Sequence, residues 1–360
     1  MTSIDTVIIG AGPIGIELAA NCKANGVPYR HFEAGQIGNT FTWWPRNTQF
    51  FSSPEWIAIA GIPIQTAAQE LITAEQYLAY LRTVVEILEL PVETYRKVST
   101  IRRIKEGFEL TVSDRHGDEK VTAKRVVFAG GDMARPRRLG IEGEDLSHVS
   151  HYFIDPHCYF QKDLLIVGGR NSALEAAVRC WRAGARVSLS YRRREIAKDR
   201  VISRLHLEVD LLIQRGQIQF YPETELRRIT PAAVELDGAR HELGADNDDW
   251  PTVTHQNLTP DFILLCTGFV PDHSLLDQLD VERVGADLQP LLNPATMETN
   301  VPGVYVAGTA TAGDQNVYRT FITTSHEHVK KIVRHLKPDA TIRTGNIAIR
   351  DYVLSSMDIE

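Results

Sequence analysis

Gly10, Gly12 and Gly15 stand at G-x-G-x-x-G spacing in the stretch GAGPIG. Glycines so spaced suit a main chain that must crowd against phosphates. The first permits a tight turn, the second lets the backbone approach a pyrophosphate, and the third lets the following helix pack close. The stretch follows the apolar run DTVIIG and opens PIGIELAANCKANG, where Pro13 suits a first helical turn and Gly26 a C-cap. PYRHFEA then reads as a second strand closing on Glu33, a carboxylate placed to accept hydrogen bonds from a ribose diol. An unphosphorylated 2′-hydroxyl is required there, which fits FAD or NAD and disfavours NADP. A structural glycine-rich turn is the plain alternative. Ile14 puts an apolar branched side chain inside the loop.

A second loop runs Gly168-Gly169-Arg170-Asn171-Ser172-Ala173, a G-x-G-x-x-A pattern with Arg170 in the middle glycine's place. A side chain there obstructs close approach unless its charge assists beside the phosphates. Where the first unit has Glu33, this one has YRRRE, with Arg192, Arg193 and Arg194 at the strand end. Guanidinium groups at that position match a 2′-phosphate, which a carboxylate would repel; a solvated surface run is the alternative. The two loops therefore predict different ligands, FAD at the first and NADPH at the second. Two such nucleotides imply hydride transfer from NADPH to flavin and electron transfer onward. The nicotinamide carbon and flavin N5 must then come within about 3–3.5 Å. That half-reaction needs no protein nucleophile or acid, so no catalytic residue is assigned.

Strands and helices must hold these loops. KDLLIVGG, SALEAAVRCWRAG and ARVSLSYRRR repeat the strand–helix–strand pattern of the first unit. Between the two units lie a helix near 73–90 and hairpin-like strands near 96–129. DFILLCTG and GVYVAG add two buried strands. The fold class expected is α/β, with two Rossmann-like domains and the NADPH domain inserted into a discontinuous FAD domain. The expected boundaries are 1–148 and 269–360 for FAD and 149–268 for NADPH. Residues 239–260 read as a polar, acidic loop, and the last twenty or so carry no chemical signature.

At 360 residues the chain suits about two domains, and its net charge of −7 disfavours nucleic acid. No apolar stretch suffices to span a bilayer, and the N-terminus lacks the features of a signal peptide, so a cytoplasmic protein is expected. Cys22, Cys158, Cys180 and Cys266 include no CxxC pair, and His326 and His328 are two apart on different helix faces, so no metal site is expected. Cys158, between Pro156 and Tyr159, is the thiol kept open for chemistry. Trp44, with Phe41 and Trp43 in FTWWP, is a candidate cover for a flavin face, with packing as the plain reading. Val98 completes the expected FAD set from this half. His148, His151 and His157 are candidate proton donors.

These motifs resemble those of the flavoprotein reductases with two dinucleotide-binding domains, including low-molecular-weight thioredoxin reductases. VVFAGG (126–131) and LLCTG (264–268) resemble the signatures that close each domain, which implies roles for Gly130 and Gly268. TNVPGVYVAGT resembles the second FAD segment, here ending Gly308-Thr309 where Gly-Asp is usual. FFSS, GEDLSHVSHYF, GGRNSALEAA, AGARVSLSYR and NPATMETNVPG look like the YpdA-type bacillithiol disulfide reductase family. That resemblance implies an FAD enzyme using NADPH to reduce a low-molecular-weight disulfide, with a homodimer as the usual assembly. Two departures count against a simple transfer. The dithiol position of thioredoxin reductases reads HYFI (His151 to Ile154), and Ile14 replaces the cysteine that YpdA-type proteins carry in the first loop. A thiolate is the natural nucleophile for resolving a disulfide, and isoleucine supplies none. A reductase of ferredoxin or flavodoxin, which needs no cysteine, is the alternative. A flavin monooxygenase and a non-catalytic flavin sensor rank below it.

Overall fold

A computed structural model describes residues 4–238, 256–315 and 319–345. The acidic loop expected at 239–260 falls mostly outside them, as does the tail beyond 345. The chain divides into two compact units. One comprises Met1–Trp43, Asn47–Arg135 and Phe269–Glu360; the other comprises Trp44–Arg46 and Pro136–Gly268.

In the first unit, Ile4–Ile9 is apolar on both faces and lies inside a sheet, parallel to Tyr29–Phe32 on one side and to Gly117–Phe128 on the other. The long strand Gly117–Phe128 joins two parts of the chain. Its first half pairs antiparallel with Gly107–Asp114, and its end pairs parallel with Val304–Val306. Lys97–Ile104 closes that edge and Val92–Glu93 the other. The core gathers Val7, Phe32, Phe108, Val126 and Val304. Ala74–Ile87 is started by a capping box between Thr73 and Gln76, which satisfies orphan amides of its first turn. Pro13–Ala24 is buried from Pro13 through Cys22, so Glu17 and Asn21 need partners within the protein.

In the second unit, the sheet order is Ile218–Pro222, Arg186–Tyr191, Asp163–Val167, Phe262–Leu265, Val149–Ser150, all parallel. The helix Asn171–Arg182 covers it with Leu174, Ala177 and Val178. A small antiparallel sheet, Thr224–Ile229 with Val234–Gly238 and Gln256–Leu258, completes the unit. The α/β class with its two nucleotide-binding folds is as expected.

The division of the chain differs from the expected boundary at 148. Residues 136–148 sit with the second unit because Ile141 and Leu146 pack on the core of its small sheet. Gly143 lies so close that a Cβ would stand 1.9 Å from the Ile229 carbonyl oxygen, and the Ile229 amide donates to Glu142 at 2.9 Å. Trp44–Arg46 join the same unit through the Arg46 amide, which donates to the Ile154 carbonyl at 3.1 Å.

Candidate functional site

The glycines of the first loop serve different ends. Gly10 has φ +103°, and a Cβ on it would stand 2.5 Å from the Ala129 carbonyl oxygen. A Cβ on Gly15 would stand 2.0 Å from the Gly10 carbonyl oxygen, so helix and turn touch main chain to main chain. Both are glycine for reasons internal to the protein. Gly12 is not: at φ −73° and ψ 178° any residue is allowed, and a Cβ would meet nothing within 4 Å. Its bare backbone opens outward at the helix N-terminus, where main-chain amides and the helix dipole favour an anion. The loop thus fits a dinucleotide pyrophosphate.

Glu33 is fixed beside it. One carboxylate oxygen accepts from the Ala11 amide at 2.7 Å and the other from Gly35 at 2.8 Å. Each oxygen keeps a lone pair for a further donor, as a ribose diol requires. Beneath the loop, His31 Nε2 donates to the Gly10 carbonyl at 2.8 Å, and burial pushes its pKa down to about 4, so the ring is neutral. His31 was not singled out in the sequence; a histidine within an apolar strand next to a glycine loop was the available signal.

Ile14 is buried, and its Cβ lies 3.5 Å from where a Cβ on Gly308 (φ +75°) would be. Thr309 Oγ1 lies 3.7 Å from the corresponding position on Gly131, and Gly130 faces open space. The ends of Ile4–Ile9, Gly117–Phe128 and Val304–Val306 therefore bring Gly10, Gly130, Ile14, Gly308 and Thr309 together. This is the carboxyl edge of a parallel sheet, where ligands of such folds bind. Two other expected residues are placed elsewhere. The Val98 side chain belongs to the core with Val7 and Phe32, because positions 98 and 101 of its strand point inward, so it is spent on packing. Trp44 belongs to the second unit; in the first, Trp43 stacks on Phe269 with centroids 4.6 Å apart.

The second loop is built on the same plan with tighter packing. Gly168 (φ +141°) passes the Cys266 carbonyl oxygen, which a Cβ would approach to 2.5 Å, while Ala173 supplies the close helix contact at 3.2 Å. Gly169 lies against the Tyr191 ring, 2.5 Å from where its Cβ would be. Arg170 is the extended N-cap residue of Asn171–Arg182. Asn171 Oδ1 accepts from the Ile202 amide at 2.9 Å, and Ser172 is exposed. At the end of Arg186–Tyr191, Arg192 and Arg194 are exposed and Arg193 is half-buried. Among the described residues none of these three guanidinium groups makes an ion pair, although acidic partners tie up Arg182 and Arg186. Gly268 (φ +94°) has open space at its Cβ position, and its carbonyl accepts from the Arg137 amide at 2.9 Å.

The remaining candidates separate by burial. Burial raises the thiols of Cys22, Cys180 and Cys266 to about 12, which keeps them protonated and unreactive. Cys158 is exposed in the short turn Pro156–Tyr159 of the second unit. His151 Nε2 lies 3.1 Å from Glu144 Oε1, yet neither ring nitrogen is aligned for a hydrogen bond among the described residues. Burial lowers its pKa, so His151 is neutral at pH 7. Glu144 instead accepts from the Leu139 and Gly140 amides at 2.8 Å each, and with Arg138 nearby its own pKa is lowered. His148 contributes its main-chain carbonyl to the Ile263 amide, and His157 is exposed. No group of three or more potential ligands fit for a metal ion exists among the described residues, and no described helix is long and apolar enough to cross a membrane.

The profile of the pyridine nucleotide-disulphide oxidoreductases matches residues 7–308. The chain is 31% identical to the bacilliredoxin reductase Bdr of Bacillus subtilis, over 89% of this chain and 94% of that one. It is 26% identical to a ferredoxin–NADP reductase of Ignicoccus hospitalis, over 87% and 92%. Its fold superimposes on the bacillithiol disulfide reductase Bdr (YpdA) of Bacillus cereus with a TM-score of 0.85 at 28% identity, covering 93% and 99% of the two chains. With two glycine loops set in two nucleotide-binding folds, the chain belongs to the pyridine nucleotide-disulphide oxidoreductase family and is an FAD-dependent NAD(P)H oxidoreductase.

Proposed function

We propose that the chain carries reducing equivalents from NADPH through FAD to a low-molecular-weight disulfide or a related small acceptor. The observation that carries the two-nucleotide reading is the opposite charge at equivalent strand ends. Glu33, held by two backbone amides, suits a ribose diol, and Arg192 and Arg193, which make no ion pair among the described residues, suit a 2′-phosphate. In this reading Gly10, Gly12, Pro13, Ile14, Gly15, Glu33, Gly130, Gly308 and Thr309 hold FAD. Gly168 to Ala173, Arg192, Arg193 and Gly268 hold NADPH. Bound flavin supplies the hydride and electron chemistry, while the protein orients the rings and excludes water. The neutral His31 keeps the Gly10 carbonyl satisfied without adding charge beneath the loop.

Similarity to proteins named bacilliredoxin reductase and bacillithiol disulfide reductase supports the disulfide acceptor. Ile14 sets how it is met: packed against Gly308, it offers no thiolate, so electrons reach the acceptor without a loop cysteine. The same residue favours a second reading, a ferredoxin or flavodoxin reductase, a name several relatives carry. The four free cysteines and the use of NADPH support a cytoplasmic setting. The test is anaerobic reduction by NADPH, followed by addition of disulfides, ferredoxin, quinone or oxygen. Rapid reoxidation by a small disulfide supports the first reading; reoxidation by ferredoxin with no disulfide turnover replaces it with the second.

A further inference from the structure

Residues 341–345 run along the helix Pro13–Ala24 and are gripped by their main chain. Asn25 Nδ2 donates to the Thr341 carbonyl at 2.9 Å, and its Oδ1 accepts from the Thr341 amide at 2.8 Å. Asn21 repeats the two-point pairing with Arg343, both bonds at 2.8 Å. Glu17 Oε1 then accepts from the Gly345 amide at 2.7 Å. Side chains four apart on the helix thus read alternate residues of the segment 341–345. The two periods agree: four helical residues rise about 6 Å, and two extended residues about 6.6 Å. The strap runs antiparallel to the helix, from Asn25 through Asn21 to Glu17. The next position in that register is Pro13, the residue after Gly12.

Glu17 is fully buried and ties more than the strap. Its Oε1 also accepts from the Ala60 amide at 2.8 Å, and its Oε2 lies 2.7 Å from His326 Nδ1 on the helix Ile322–Leu336. The Gly61 amide donates to the Gly345 carbonyl at 2.8 Å, and Lys337 Nζ donates to the Asn25 carbonyl at 2.7 Å. The helix is therefore pinned along its length by groups that have no part in a nucleotide loop. A ligand site needs its donors held within about 0.5 Å of the productive geometry by surrounding contacts. The tight main-chain contact of Gly15 on Gly10 passes any axial slip of the helix directly to the loop.

We propose that the strap 341–345, read by Glu17, Asn21 and Asn25, is the device that holds the first glycine loop in its FAD-binding geometry and so sets the rate of FAD release. Asn21 and Asn25 are positioning residues that touch no nucleotide. The proposal rests on FAD binding at the first loop.

The test measures FAD release by the rise in free-flavin fluorescence, together with hydrogen exchange at the Ala11 and Ile14 amides. In the full chain, Asn25→Ala releases FAD about tenfold faster, the loss expected for a two-point pairing. Asn25→Asp, which keeps the acceptor for the Thr341 amide, falls between it and the unaltered protein. Lys23→Ala, on the same helix but bonded to the Leu88 and Glu89 carbonyls, leaves release unchanged. A chain ending at residue 345 behaves as the full chain, and one ending at 340 releases FAD at least as fast as Asn25→Ala. Faster loop-amide exchange in step with release supports positioning. Unchanged release in both Asn25→Ala and the chain ending at 340 overturns the proposal, as does equal acceleration in the chain ending at 345. If the unaltered protein binds no FAD, the loop assignment itself fails.

Discussion

Removing the charge at the second strand end should separate the two nicotinamide nucleotides. Arg192 and Arg193 make no ion pair among the described residues, and the bond from the Glu223 amide to the Arg193 carbonyl survives truncation to alanine. Folding stability should therefore change by no more than about 0.5 kcal/mol, as for surface positions without special contacts. A charge-assisted hydrogen bond to phosphate contributes about 1.5–3 kcal/mol, so each single alanine variant should lower kcat/KM for NADPH about 10- to 150-fold. NADH lacks the 2′-phosphate, and its kcat/KM should stay within about twofold, because the lost interaction is absent from both sides of that comparison. The assay is steady-state oxidation of each nucleotide against an artificial acceptor at two ionic strengths. The NADPH effect should shrink at high salt, since the cluster is partly exposed. Equal losses with both nucleotides would mean that the arginines shape the loop and do not read a phosphate.

The first loop yields a paired prediction. Gly15→Ala drives a methyl into the Gly10 carbonyl and should abolish folding or lower the melting temperature sharply. Gly12→Ala meets no protein atom and should melt normally without ligand yet bind FAD weakly, as flavin content after purification would show. Ile14→Cys should gain disulfide reductase activity, measured as NADPH oxidation with a small disulfide; no gain would mean that the position is not part of the acceptor's path. The Glu17–His326 pair should make stability pH-dependent. Burial alone would lower the His326 pKa, but the hydrogen bond to Glu17, the attraction of that carboxylate and the nearby Trp56 carbonyl together raise it, so the stabilisation is full below the unfolded value of about 6.5 and fades as pH rises through the folded value. Relative to His326→Gln, the unaltered protein should be more stable by about 1–3 kcal/mol near pH 6, a gap that narrows toward pH 9 in urea titrations.

What was legible in the sequence followed from local constraints. The strand–loop–helix runs at Gly10 and Gly168 showed because tight turns, close helix packing and buried parallel strands each demand particular residue types within a short span. Glu33 and Arg192 showed for the same reason. The strap did not, because Asn21 and Asn25 bind the main chain of residues more than three hundred positions away. Main-chain recognition leaves no mark on the side chains of the strap, so 341–345 carried no signature. Glu17, Asn21 and Asn25 form a polar line at four-residue spacing along the helix Pro13–Ala24 and its C-cap. Such a line reads as a solvated face until its burial is seen. The packing of the Val98 side chain was not legible either, because alternation alone does not tell which face of a hairpin strand meets a core. The boundary at 148 moved because Gly143 and Ile141 commit their stretch to a sheet formed by later residues.

We propose that one chain binds FAD at the first loop and takes hydride from NADPH at the second. Anaerobic stopped-flow mixing of the purified flavoprotein with NADPH or NADH, followed at the flavin absorbance band, tests it directly. Full bleaching by NADPH at low concentration, with NADH far slower and the preference lost in Arg192→Ala, is the result predicted. Bleaching by NADH as readily as by NADPH, or no bleaching by either, would contradict it.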